Sequence, residues 1–227
     1  MKSVTIVIPV YNESGTVTDV LERVRDQSLP GWRRQIIVVD DGSTDGTAAK
    51  LKEWEKRVTV LYKTKNEGKG SAVRLGLTRA TGDIVIIQDA DLEYSPADYP
   101  ALLGPFDNSQ VNVVYGSRFL GPHLTTMFVY ALGNKFVTFL TNIMYNTNIT
   151  DMETGYKVFR RKVLDRIRID ARGFDFEPEF TARVLKRGYQ IYEVPIRYFG
   201  RKHSEGKKLT WRDGVIALWT LIRCRFA

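Results

Sequence analysis

Six acidic side chains fall in three short clusters that could do chemistry together. Glu13 follows Pro9-Val10-Tyr11-Asn12, Asp40-Asp41 precedes Gly42-Ser43, and Asp89, Asp91 and Glu93 share the run Asp89-Ala90-Asp91-Leu92-Glu93. Each cluster ends a short apolar run. Carboxylates gathered at one place repel unless a cation or hydrogen-bond donors compensate them. Two carboxylates one residue apart, as in Asp89-x-Asp91, can point the same way from a local turn. Hard divalent cations such as Mg²⁺ take such oxygens and keep positions open for phosphate oxygens and water. Asp40 and Asp41 also stand beside Gly42 and Ser43, so turn capping is a competing role.

A second set is basic. Arg118 follows Tyr115-Gly116-Ser117, and Arg201 to Lys208 form a glycine-punctuated loop after Tyr198-Phe199-Gly200. Either could clamp a phosphate, and either could be solvated surface. Gly68-Lys69-Gly70-Ser71 is neither a P-loop nor a dinucleotide fingerprint, because the spacer is absent and Val73 takes the third glycine position. It still suits a helix N-terminus with amides free for an anion.

The elements that must carry these groups alternate. The patterning predicts strands over Val4–Val10, Gln35–Asp40, Val58–Tyr62 and Asp83–Gln88, with helices over Thr16–Gln27, Thr44–Lys56 and Gly70–Ala80 between them. Unbroken apolar strands imply burial on both faces, hence an α/β fold with a mainly parallel central sheet and helices on both sides. In such sheets ligands sit beyond the carboxyl ends of the strands, where the acidic clusters fall. After residue 90 the alternation fades. Asn112–Tyr115 reads as a further strand, and Leu124–Tyr145 as one or two amphipathic helices that either pack in the core or touch a membrane. Glu179–Arg187, Tyr189–Val194 and Thr210–Cys224 follow as helix, strand and helix. No repeat or linker is visible, so residues 1–227 are expected to form a single domain.

Length and composition set limits. The 227 residues are 43% hydrophobic and 26% charged, an ordinary globular mix. One cysteine, Cys224, excludes a disulfide framework, and His123 and His203 are too far apart for a His-x-x-x-His metal pair. No run of 18 apolar residues and no signal-peptide pattern is present, so a soluble or peripheral protein of the cytoplasm is expected. The net charge of +8 is uneven: residues 1–110 hold 14 basic against 16 acidic side chains, and residues 111–227 hold 20 against 10. A basic half of that size suits an anionic partner.

Together these segments resemble the inverting nucleotide-sugar glycosyltransferases of family 2 with the GT-A fold, and among them the polyprenyl-phosphate (dolichyl-phosphate) mannose and glucose synthases. The likeness is carried by Ile6 to Glu13, Ile37 to Thr47, Asn66 to Ala72, Gly82 to Leu92, Gly116-Ser117-Arg118, Asp151 to Arg160, and Glu193 to Ile196 with the Arg201–Lys208 loop. It implies a nucleotide-sugar half over about 1–110 and an acceptor half over about 111–227. Pro9, Tyr11, Glu13 and Asp40, with Asp41 nearby, look like the pocket for base and ribose, and Lys69 and Asp89 look like further donor ligands. Asp89 and Asp91 look like the seat of Mg²⁺ or Mn²⁺. Glu93, where the family often has glutamine, would add a third carboxylate or touch the sugar. Asp91 and Arg118 are expected to be catalytic, and Arg118, Arg201 and Lys207 to hold the acceptor phosphate. The implied partners are a GDP- or UDP-hexose, a polyprenyl phosphate and the cytoplasmic face of a membrane, without nucleic acid. A phosphomonoester is already largely dianionic at pH 7, with a second pKa of about 6, so such an acceptor needs no general base.

Three other readings fit parts of the chain. A relative acting on a sugar or protein hydroxyl would need Glu179 or a neighbour as base. A non-catalytic basic module would bind nucleic acid or anionic lipid, leaving the acidic strand ends unexplained. A nucleotidyltransferase would need a triphosphate loop that is not apparent.

Overall fold

The computed structural model describes residues 1–122, 128–200 and 211–226. Seven strands form one sheet: β1 (Lys2–Val10), β2 (Trp32–Asp40), β3 (Thr59–Tyr62), β4 (Ile84–Ile87), β5 (Val113–Ser117), β6 (Lys157–Arg160) and β7 (Ile191–Pro195). Their order is β3-β2-β1-β4-β6-β5-β7. β1 is parallel to β2 and β4, β2 to β3, and β5 to β7. Among the described residues there are seven α-helices: α1 (Val17–Asp26), α2 (Thr47–Lys52), α3 (Lys69–Leu77), α4 (Tyr99–Leu103), α5 (Phe128–Tyr145), α6 (Phe176–Lys186) and α7 (Trp211–Phe226).

The side-chain period of a strand explains the two layers. Val4, Ile6 and Ile8 of β1 face a core shared with Val20, Leu21 and Val24 of α1 and Leu102 of α4. Val7, with Val85 and Ile87 of β4, faces the opposite core, shared with Val73 of α3 and Phe176 and Phe180 of α6. β1 is therefore covered on both faces, as its unbroken apolar run requires. Gly76 of α3 lets that helix sit on the sheet, because a Cβ there would stand 2.5 Å from a Val7 methyl.

β6 departs from the sequence expectation. Its four residues, Lys-Val-Phe-Arg, lie between β4 and β5 and run antiparallel to both. Only Val158 and Phe159 are apolar, too few to show a period. The Lys157 ammonium is nevertheless fully buried, donating to the carbonyls of Met152 (2.9 Å) and Thr154 (2.7 Å) over the Tyr115 ring. α6 begins at Phe176, three residues earlier than expected, because Pro178 falls in the first turn, where an amide has no intrahelical partner.

α5 is one helix rather than two. Val137, Thr138 and Thr141 are buried, and Val137 packs with Ala217 and Leu221 of α7. Its other face leaves Phe128, Leu132, Phe136, Phe139 and Ile143 exposed, so core packing accounts for only part of the segment.

Candidate functional site

The parallel strands deliver their ends to one edge. Val10 pairs with Asp40, Asp40 with Tyr62, and Val7 with Ile87, so the loops after β1 to β4 emerge side by side. The first two interlock. The Asn12 amide donates to Ser43 Oγ (2.9 Å), the Thr44 amide to Asn12 Oδ1 (2.8 Å), the Glu13 amide to Thr47 Oγ1 (3.0 Å) and the Ser14 amide to Asp45 Oδ2 (3.0 Å). Burial opposes the Asp45 charge, but the Thr47 hydroxyl and the Ser14 and Thr47 amides outweigh it and hold the carboxyl well below its usual range. Asn12 takes φ +52°, a left-handed conformation that asparagine tolerates. Pro9, Tyr11, Glu13 and Asp40 thus share this edge. Asp40, 2% exposed, also caps its own turn by accepting from the Ser43 amide (3.1 Å).

Asp41, expected near the nucleotide pocket, is held by protein groups. Its buried carboxylate accepts from Lys63 Nζ (2.6 Å) and from the amides of Gly68 (2.7 Å) and Glu67 (3.2 Å). It holds the loop that leads into α3. Gly68 lies against the 172–173 backbone with φ +95°, and a Cβ there would stand 2.5 Å from the Arg172 carbonyl oxygen.

Lys69 opens α3 and bridges two carboxylates, Asp89 Oδ1 at 2.6 Å and Glu177 Oε1 at 2.7 Å. Burial alone would lower the ammonium's proton affinity, but the two acids raise it well above the ordinary range. Lys69 therefore keeps its charge.

The loop after β4 is strained and tied down. Leu92 has φ +62°, costly for a γ-branched residue and common where a site over-determines the backbone. Asp91 Oδ1 accepts from the Glu93 amide (3.2 Å). The Thr16 hydroxyl lies 2.7 Å from the Ala90 carbonyl and 2.9 Å from Glu13 Oε2, joining this loop to the first. Gln88 Oε1 accepts from the Tyr99 (2.8 Å) and Tyr156 (2.7 Å) hydroxyls beneath it. Glu93 accepts from the Tyr198 hydroxyl (2.8 Å). Among the described residues no three acidic, histidine or cysteine side chains gather as a metal cage. Of the expected set of Asp89, Asp91 and Glu93, the third carboxylate is engaged by Tyr198. Asp89 and Asp91 remain, two hard-oxygen donors whose chemistry fits a divalent cation completed by ligand oxygens.

The opposite end of the site is built on β5. Arg118 donates through Nε to Asp151 Oδ2 and through Nη2 to Oδ1, both at 2.7 Å, and its guanidinium lies over the Tyr198 ring. Burial opposes this charge and Asp151 overrides it, so Arg118 stays ionised. Asp151 is fully buried, and its own amide and that of Thr150 donate to the Glu193 carboxylate. Arg118, expected as an acceptor-phosphate ligand, is thus paired with a buried carboxylate. Arg201 and Lys207 lie outside the described residues.

Sequence reasoning gave no site role to Glu153, Lys157 or Glu177. Burial drives the Glu153 carboxyl up and the Lys157 ammonium down, with Glu177 acting on both. Lys157 and Glu177 are buried beneath the strand ends, and a charged residue inside a short strand or first helical turn was the only signal. Glu179, the base that a hydroxyl acceptor would need, is buried and engaged by the Asp170 amide (3.0 Å) and Arg183 Nη2 (2.9 Å).

With this geometry in view, comparison with known proteins is decisive for the family. Residues 5–168 match the family described as glycosyl transferase family 2, and the chain belongs to that family. It is 30% identical over 250 residues to an undecaprenyl-phosphate mannosyltransferase of Micrococcus luteus, covering 98% of each chain. It is also 30% identical over 211 residues to a dolichol-phosphate mannosyltransferase of Pyrococcus furiosus, covering 90% of this chain and 58% of that one, so it spans little more than half of that relative. A crystal structure of glucosyl-3-phosphoglycerate synthase from Mycobacterium tuberculosis, with Mn²⁺, UDP and glucosyl-3-phosphoglycerate, superposes with a TM-score of 0.78 at 20% identity, covering 99% of this chain and 80% of that one. That likeness establishes the GT-A fold. The protein is a glycosyltransferase.

Proposed function

We propose that the protein transfers a hexose, mannose before glucose, from a nucleotide diphosphate sugar to a polyprenyl phosphate at a membrane surface. One observation carries this reading. The sheet edge presents Asp89 and Asp91 at one end and Arg118 on Asp151 at the other, and the segment from Asp151 to Gly155 spans the two. The residues before about 110 would hold the donor and those after it the acceptor. The names of the mannosyltransferase relatives favour mannose as the sugar and a polyprenyl phosphate as the acceptor.

Asp89 and Asp91 would hold Mg²⁺ or Mn²⁺, which supplies positive charge at the donor diphosphate. Lys69, already ionised beside Asp89, would add a second cation there. Arg118 would steer the incoming phosphate. The phosphate oxygen forms the new bond to the anomeric carbon, the bond to the nucleoside diphosphate breaks, and the configuration inverts. No side chain need take a proton from the acceptor, and this agrees with Glu179 being committed to Arg183 and the Asp170 amide.

The surface of α5 and α7 supports membrane contact. Phe128, Leu132, Phe136, Phe139 and Ile143 form an exposed stripe on α5, and Val215, Ile216, Trp219, Ile222 and Phe226 form another on α7. The Tyr145 hydroxyl donates to the Leu221 carbonyl (2.7 Å), fastening the two helices together. Among the described residues no helix is long and apolar enough to cross a membrane. Exposed Arg212, Arg223 and Arg225 suit the anionic, cytoplasmic face of a bilayer, with the helices lying in its plane.

One experiment tests donor, acceptor and surface together. The protein is mixed with anionic liposomes carrying undecaprenyl phosphate, Mn²⁺ and GDP-mannose, GDP-glucose, UDP-glucose or UDP-mannose, and the liposomes are floated. Protein should rise with them, and mass spectrometry should find one new hexosyl phospholipid. Flotation without product for every donor would overturn the transfer reading, and product without flotation would overturn the membrane reading.

A further inference from the structure

Asp151, Glu153 and Gly155 lie in the short turn that precedes β6. Asp151 grips the Arg118 guanidinium. Gly155 presses on Asp89 so closely that a Cβ would stand 2.2 Å from Oδ2, and its amide donates to the Tyr94 hydroxyl (2.9 Å). The segment therefore runs from the arginine at one strand end to the aspartate at another, with Glu153 at its middle. The Glu153 carboxyl feels Glu177 of α6 and Asp151 as repelling charges, and Lys157 of β6 and Arg118 as attracting ones. Glu177 in turn shares Lys69 with Asp89. Glu153 is ringed by groups that belong to both ends of the site.

Its Oε1 atom is shut off from water and has no hydrogen-bond partner. Buried carboxylate oxygens are nearly always paired, because an unpaired one loses its hydration without return. The nearby cations hydrogen-bond elsewhere: Asp151 takes the Arg118 guanidinium, and carbonyls take the Lys157 ammonium. The residue as a whole is only half-buried. The terminal bond of a glutamate turns freely enough to exchange its two oxygens, so either can be offered to a ligand.

The geometry points to Glu153 as the group that accepts a hydrogen bond from a ring hydroxyl of the transferred hexose, and so as a specificity-determining residue. The inference rests on the functional reading above, which places the hexose between the donor diphosphate and the acceptor phosphate. A sugar with a hydroxyl at the matching position satisfies the oxygen; an epimer without it leaves the oxygen bare. Sites that hydrogen-bond a substrate hydroxyl discriminate strongly for this reason.

Glu153→Leu removes the acceptor at similar volume. Calorimetry would compare GDP and UDP with GDP-mannose and UDP-glucose, each with MnCl₂. Affinity for the bare nucleoside diphosphate should hold within about twofold, while affinity for the preferred nucleotide sugar falls about tenfold, the scale of one hydrogen bond to a charged group. Glu153→Gln, which keeps one acceptor oxygen, should recover most of the loss. The midpoint of thermal unfolding of the leucine variant should stay level or rise, since a buried unpaired oxygen has gone. A fall in that midpoint would mark a structural role and overturn the inference. So would equal losses for diphosphate and sugar nucleotide, or no loss for either. Wild-type protein that binds neither GDP nor UDP would instead overturn the functional reading, and the inference with it.

Discussion

Replacing Asp91 by alanine should lower turnover about a thousandfold, the scale seen when a charge-stabilising group is removed from a reacting centre. The midpoint of thermal unfolding should move by no more than about 4 °C, roughly one kcal/mol for a chain of this size. The two effects separate because the loop carrying Asp91 is fixed by other groups. Thr16 holds Ala90, Gln88 is anchored by two tyrosine hydroxyls, and Tyr198 holds Glu93. Asp91 adds its contact to the Glu93 amide, at the long distance of 3.2 Å. Asp89→Ala should behave differently. It would leave Lys69 against Glu177 alone and open a gap against Gly155, so activity and stability should fall together. Steady-state transfer assays beside thermal scans read both. An Asp91→Ala enzyme with wild-type turnover would remove the cation-binding role of this loop.

The second large effect concerns Arg118. Arg118→Met strips the buried Asp151 carboxylate of its cation, and breaking a buried pair from one side costs about 3–5 kcal/mol. That corresponds to a fall in melting temperature on the order of 10 °C. Removing both charges, as Arg118→Met with Asp151→Leu, should restore most of the stability, since a buried pair replaced by apolar side chains is often neutral. Activity should not return, because the acceptor phosphate would still lack its guanidinium. Arg118→Lys keeps the charge but not the two-pronged contact, and should raise the KM for the lipid phosphate while leaving donor affinity alone. A stable double variant that transfers sugar at the wild-type rate would show that Arg118 serves the fold only.

The first four strands and the loops after them are legible because β1, β2 and β4 carry apolar runs followed within a few residues by acids. The expected helix over Thr44–Lys56 is helical only over Thr47–Lys52, because Asp45 and Gly46 form the turn before it and residues 53–57 form the turn after it. β6 was hidden, since two apolar residues between Lys157 and Arg160 show no period and the lysine's burial depends on carbonyls supplied by the fold. The roles of Asp41 and Glu93 were equally hidden. Composition places a carboxylate at a strand end but does not say whether Lys63 or Tyr198 will occupy it. The ring of Lys69, Glu177, Lys157 and Glu153 joins residues more than 100 positions apart in the chain, and only the sheet order β4-β6-β5 brings them together.

The central claim is that the strand-end aspartates seat the donor diphosphate while Arg118 waits across the site. Crystals grown with GDP or UDP and Mn²⁺, examined by anomalous scattering, test it most directly. The account predicts one manganese peak touching Asp91, with the diphosphate beside it and Lys69 turned toward a phosphate oxygen. A nucleotide and metal bound elsewhere, with both aspartates bare, would contradict it.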